Sequence, residues 1–222
     1  MATQDLNLRI IFEYLPLFIR GAGLTLWISF LSLGFAMIVG LIACLMRLSN
    51  RKVLYRISET YLEVFRCTPL LCQLYFLYFG LPSLGIHLTE IQIGIIALGL
   101  NSGAYFSEIL RGGLSSVAYG QWEASLSSGL NRRQTLRYII LPQALHSVGP
   151  AILGQSIILV KDSSLLSLIS VAELLRSAQF LASERFMPTE AYLTVGIIYL
   201  GIYYLIKYGI NRIKSRRIRQ WA

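Results

Sequence analysis

The stretch Gly21–Met46, GAGLTLWISFLSLGFAMIVGLIACLM, runs for 26 residues without a charged side chain. As a helix it would be about 39 Å long, at ~1.5 Å per residue. A hydrocarbon core of about 30 Å is crossed by about 20 residues. The stretch is therefore long enough to span a bilayer with some tilt. A cleavable signal peptide fits it poorly, because the apolar part of such a peptide is about 7–15 residues long and lies nearer the N-terminus.

The rest of the chain carries the same bias. Of 222 residues, 55% are hydrophobic and 14% are charged, with a mean hydropathy of +0.60. A soluble domain carries about 25% charged residues. Beyond residues 21–46, further apolar stretches fall at 57–79, 91–110, 144–165 and 191–211. Backbone groups in lipid have to be satisfied within their own segment, so spans of this length are helices. A β-barrel needs alternating polarity, and the run Ile93-Gly94-Ile95-Ile96-Ala97-Leu98 has none. The expected fold is all-α, a polytopic membrane protein with about five transmembrane helices in one transmembrane domain over 1–222.

The formal net charge of +9 could suggest a nucleic-acid partner, but the distribution argues against one. Basic residues fall in short segments between apolar runs, which is the pattern of membrane orientation. Arg47, Arg51, Lys52 and Arg56 follow the first span. Arg111, Arg132, Arg133 and Arg137 follow the third, and Arg212, Lys214, Arg216, Arg217 and Arg219 follow the fifth. Residues 80–90 contain no Lys or Arg, and Arg176 and Arg185 are balanced by Glu173, Glu184 and Glu190. Arg9 and Arg20 are likewise balanced by Asp5 and Glu13. With five spans the N-terminus lies outside and the C-terminus in the cytoplasm, where the basic tail meets anionic headgroups.

The segment from Gly120 to Leu145, GQWEASLSSGLNRRQTLRYIILPQAL, is the most informative loop. It reads as two short helices. The first covers about Gln121–Ser128 and ends at Gly129, which tolerates a left-handed conformation. Asn131 then offers an N-cap, with Gln134 placed as its capping-box partner. Pro142 marks the point where the second helix is expected to give way to the fourth span.

The spacing Glu123-Ala124-Ser125, three residues, Gly129, nine residues, Ile139, one residue, Leu141-Pro142 resembles the EAA motif of permeases of binding-protein-dependent ABC importers. Ser125 stands where that family usually has Ala. Glu63–Leu71, EVFRCTPLL, resembles the ExFRGTPLL signature of polar amino-acid permeases, with Cys67 in place of Gly. Gly23-Leu24-Thr25-Leu26, Ala104–Gly113 and Lys161-Asp162-Ser163-Ser164-Leu165 resemble further segments of the same family. The histidine/glutamine/arginine permease type is the family resembled, over about Gly21 to Tyr208.

The resemblance implies a single ABC importer transmembrane domain in a bacterial cytoplasmic (inner) membrane. Its cytoplasmic coupling helix lies between spans 3 and 4, in a coupling loop of about 119–142. Glu123, Ala124, Ser125, Gly129, Leu141 and Pro142 would meet the ATPase. The implied partners are two ATPase subunits, a second permease chain (identical or homologous) and an extracytoplasmic amino-acid-binding protein. No GxxxxGK[ST] phosphate loop occurs in the sequence, so ATP is expected on the partner subunits, with no cofactor in this chain.

Ionisable and amide groups at membrane depth are candidates for the substrate path. Asn101, Tyr105, Asp162, Lys161, Glu63 and Arg66 form that set. Asn101 would either bond a neighbouring helix or touch substrate. Glu63 and Arg66 would either pair with each other, three residues apart on one face, or line the inner end of the path. Lys161 and Asp162 would pair, or meet the charged ends of an amino acid. Glu108 and Arg111 read as helix-end charges supporting a gate.

Two rival functions would leave other marks on the sequence. An ion-gradient-driven secondary amino-acid transporter would need no ATPase, and such carriers usually show internal repeats. An enzyme would need metal ligands or a nucleophile–base pair. Cys44, Cys67, Cys72, His87 and His146 form no zinc-type spacing, and Ser156 and Ser163 have no evident base.

Overall fold

A computed structural model describes residues 8–218, with side chains described over 9–208. The basic tail side chains Arg212, Lys214, Arg216, Arg217 and Arg219, the end of the fifth expected span, and Asp5 lie outside the described side chains. Every regular element among the described residues is helical. Among the described residues, four stretches are long and apolar enough to cross a membrane: Arg9–Arg47, Glu90–Ser115, Arg132–Ile169 and Pro188–Tyr208. A bent pair, Lys52–Cys67 and Leu70–Ser83, makes a fifth if counted as one span.

Helix α1 (Leu8–Arg47) starts well before residue 21. The charge of Arg20 does not stop it, because that side chain is exposed while Phe18 beside it is fully buried. Expected span 57–79 is not one rod. Helices α2 (Lys52–Cys67) and α3 (Leu70–Tyr75) meet at Thr68–Pro69, with a bend of 107°. Thr68 is extended, at φ −108° and ψ 143°, as a residue before proline tends to be. A five-residue π-helical segment, Phe76–Gly80, then leads into the short α4 (Leu81–Ser83).

Helix α5 (Glu90–Ser115) opens on a capping box between Thr89 and Gln92. After it come α6 (Tyr119–Ser127), α7 (Arg132–Thr135), a second π-helical segment (Leu136–Ile140) and α8 (Leu141–Asp162). Pro142 does not end a helix, as its sequence position suggested. The π-helical segment absorbs it. The Leu141 N–H donates to the Leu136 carbonyl, five residues back, and the wider turn makes room for a ring that would otherwise strike the carbonyl four residues earlier. The first π segment likewise ends two residues before a proline, Pro82. A 3₁₀ segment (Ser163–Ile169), α9 (Leu174–Arg185) and α10 (Pro188–Ile218) complete the chain.

The chain divides into two compact units. Met1–Ser29 with Val160–Ala222 forms the first. Its core is Phe18, Leu174, Ala178, Leu181, Ala191, Val195 and Ile202, from α1, α9 and α10. Phe30–Leu159 forms the second. There Ala36, Phe106 and Leu159 pack together, and Ala43, Leu62 and Ala104 form a neighbouring cluster. Large apolar side chains also point outward, among them Phe30, Ile38, Leu45, Ile197 and Leu205. Those faces suit hydrocarbon.

Between lipid-immersed helices the hydrophobic effect supplies little, so close packing and hydrogen bonds hold them. In the second unit α1 and α5 approach where both are small. A Cβ added at Gly40 would stand 2.8 Å from the Gly103 carbonyl oxygen and 2.8 Å from Phe106 Cβ. Side chains tie the same helices to α2: the Ser58 hydroxyl donates to the Ala43 carbonyl at 2.7 Å, and the Tyr61 hydroxyl to that of Leu100 at 2.6 Å. Gly40→Val should therefore destabilise the protein by about 1–3 kcal/mol, the usual range for overpacking. Gly34→Ala, which meets nothing within 4 Å, should not lower the thermal midpoint in detergent and should raise it slightly, since alanine loses less backbone freedom in a helix.

Candidate functional site

The loop from Gly120 to Leu145 is built from local signals. Helix α6 ends in a Schellman motif: the Leu130 N–H donates to the Ser125 carbonyl at 3.2 Å and the Gly129 N–H to that of Leu126 at 3.0 Å. Gly129 takes φ +85°, which glycine adopts without a Cβ clash. Two residues on, Asn131 caps α7. Its Oδ1 accepts from the Gln134 N–H at 3.0 Å, and Gln134 Oε1 accepts from the Asn131 N–H at 2.9 Å. Glu123 and Ala124 are exposed, as are Leu141 and Pro142, while Ser125 is turned inward. The loop thus presents a short, firmly ended helix to the solvent.

At the bend after α2, chemistry compensates for a missing donor. The Phe65 carbonyl would normally accept from the N–H four residues on, but that residue is Pro69. Instead it accepts from Asn101 Nδ2 at 3.0 Å and from Gln73 Nε2 at 3.0 Å. Gln73 Nε2 also lies 3.1 Å from the Thr68 carbonyl oxygen, and Asn101 Nδ2 lies 3.1 Å from Gln73 Oε1. Asn101 thus bonds its neighbouring helices, one of the two roles its position suggested. Gln73 drew no attention in the sequence. A glutamine four residues after Pro69 was the signal that could have found it.

Glu63, Arg66 and Tyr105 line one cavity of 390 Å³ with Arg47, Glu59, Leu62 and Cys67. Arg66 does not pair with Glu63. Its guanidinium lies 5.7 Å from the centre of the Tyr105 ring and 3.8 Å from Glu108. Glu108 gathers two further arginines: Arg47 is ion-paired to it, and Arg111 donates to it at 2.9 Å. One carboxylate therefore joins the ends of α1, α2 and α5. Lys161, exposed, and Asp162, half-buried, belong to the other unit. They close α8 without a hydrogen bond or ion pair between them among the described contacts.

Residues 33–220 match the family model described as binding-protein-dependent transport system inner membrane component. The chain belongs to this family. It is 36% identical over 208 residues to the glutamine transport system permease protein GlnP of Escherichia coli (strain K12), covering 93% of this chain and 95% of that one. It is 38% identical over 196 residues to the probable amino-acid ABC transporter permease protein YckA of Bacillus subtilis (strain 168), covering 88% and 87%. A chain in the crystal structure of an amino acid ABC transporter with histidines superposes with a TM-score of 0.90 at 34% identity, covering 97% of this chain and all of that one. The chain is a multi-pass membrane transport subunit, and none of these matches favours the ion-gradient carrier.

The permease also holds a buried carboxylate that its sequence did not mark as special. Glu173 is fully buried and caps α9. Its carboxylate accepts from the Leu175 and Arg176 N–H groups, both at 2.8 Å, and from the Tyr199 hydroxyl at 3.2 Å. Nearby, Thr25 Oγ1 accepts from the Leu174 N–H at 3.1 Å. Burial pushes the Glu173 carboxyl above the usual carboxylate range, against the pull of those donors. Folding then favours the protonated form. Stability should fall as pH rises from the ordinary value of 4.5 through the raised folded value. Glu173→Gln should flatten that slope, which thermal unfolding in detergent between acidic and neutral pH would read directly.

Proposed function

We propose that this chain forms the membrane path and coupling element of an ATP-driven importer of polar or charged amino acids. ATP is bound and hydrolysed on two partner ATPase subunits. A second permease chain completes the path, and an extracytoplasmic amino-acid-binding protein delivers substrate. The observation that carries the reading is the loop with α6, an exposed helix ended by a Schellman motif and followed at once by the capping box of α7, in a chain of this family. The amino-acid relatives support the substrate class. Basic residues after the first, third and fifth spans support a cytoplasmic C-terminus.

A free amino acid carries an ammonium and a carboxylate. The cavity with Glu59, Glu63, Arg47, Arg66 and Tyr105 offers both charges. Asp162 and Lys161 offer the same pair in the other unit. Asn101 acts by holding the bend beside the cavity. In this mechanism hydrolysis moves the ATPase subunits, and α6, carrying Glu123 and Ala124, passes the motion to the spans.

Gly129→Val tests the coupling half. A β-branched residue at positive φ costs about 1–2 kcal/mol or more, so the loop should lose its shape. Substrate-stimulated ATP hydrolysis should drop while the isolated ATPase subunits remain active. Unchanged stimulation would refute the docking role. For the path, an Asn101→Ala, Asp162→Ala double variant that still assembles should show reduced uptake or altered preference among amino acids. Wild-type rate and specificity would remove these residues from the path.

A further inference from the structure

Ser125 is the position at which the coupling loop departs from its family, and the fold gives its hydroxyl a specific partner. Ser125 is 6% exposed and Thr135, at the end of α7, is fully buried. The Ser125 hydroxyl donates to Thr135 Oγ1 at 3.1 Å and to the Trp122 carbonyl at 2.9 Å, sharing one hydrogen between them. The backbone carbonyl of the same residue accepts the Leu130 N–H of the Schellman motif. One residue thus closes the helix end and ties α6 sideways to α7.

Other polar side chains of this segment, Glu123, Ser127, Ser128, Arg132, Arg133 and Gln134, are exposed. The remaining side-chain link from α6 toward α8 is Gln143 to Gln121, at 3.4 Å and exposed to water. Thr135 stands near the start of the helical run Arg132–Ile169. A displacement of α6 therefore reaches that run through the turn at Gly129 and through this hydroxyl pair. An apolar contact would let α6 slide or roll against α7. A hydrogen bond is directional and, shielded from water, is not exchanged for solvent.

We infer that the Ser125–Thr135 hydroxyl pair is a positioning joint that locks the docking helix to the fourth-span helix and sets how much transport each ATP hydrolysis yields. The inference rests on the coupling reading proposed above. An alanine at position 125 would leave the loop its shape but not this joint.

The test uses the full complex, purified with its ATPase subunits and binding protein and reconstituted in liposomes. Thr135→Val keeps side-chain shape and removes the hydroxyl, while Ser125 keeps its bond to Trp122. The expected result is a fall of about two- to tenfold in amino acid taken up per ATP hydrolysed, the range set by the net free energy of one hydrogen bond. Basal ATP hydrolysis and co-purification should stay at wild-type level. Thr135→Ser, which restores the hydroxyl, should couple as wild type, and Ser125→Ala with Thr135→Val should lose no more than either alone. Wild-type yield in Thr135→Val, or multiplied losses in the double variant, would overturn the joint. Should Thr135→Val fail to co-purify with the ATPase, Ser125→Ala decides by the same ratio. A wild-type complex without ATP-driven uptake would instead overturn the function proposed above.

Discussion

Pro69 removes one backbone donor where α2 bends into α3, and side chains from two further segments of the second unit are arranged around that loss. The orphaned Phe65 carbonyl needs donors from elsewhere, because leaving a partly buried polar group unsatisfied is costly. Asn101 from α5 and Gln73 from α3 supply the missing hydrogens. In doing so they fix three helical segments at one point. The bend of 107° is thereby held in place and does not fray. On its inner side Arg66 is aimed at Tyr105 and Glu108, which shapes the charged cavity.

Pairing also governs the other charges. Glu108 collects Arg47, Arg66 and Arg111. The cluster keeps a positive excess, but each guanidinium has a common counter-ion. In the first unit, Glu173 is buried among backbone N–H groups and Tyr199. There the helix N-terminus offers donors that the carboxylate can use. Small residues at Gly40 and Gly103 let helices meet closely, which matters where lipid competes equally for apolar side chains.

The loop that carries α6 and α7 follows a different logic. Its shape comes from adjacent residues. A positive φ at Gly129, an N-cap at Asn131 and reciprocal bonds with Gln134 suffice to reverse the chain. Rigidity between the two short helices needs something more, since a loop with only backbone closure can hinge. Ser125 and Thr135, ten residues apart and both buried, provide the cross-tie. In the proposed docking role, an element that moves as one body with the helix behind it transmits displacement with little loss.

From the sequence alone, the apolar runs determined an all-helical membrane chain, because a bilayer sets both the length of a span and the closure of its backbone. The helix end at Gly129 and the capping box at Asn131 were likewise legible, since both depend on neighbours within a few residues. Helix α1 continues past Arg20 toward the N-terminus, with that side chain outward, which the apolar run by itself did not indicate. Proline led the reading astray at Pro142, which a π turn accommodates. The bend at Pro69, the choice of Glu108 over Glu63 as partner for Arg66, the network of Asn101 with Gln73 and the burial of Glu173 were decided by tertiary structure. Each depends on which helix faces which across tens of residues, and hydropathy and local spacing carry no record of that.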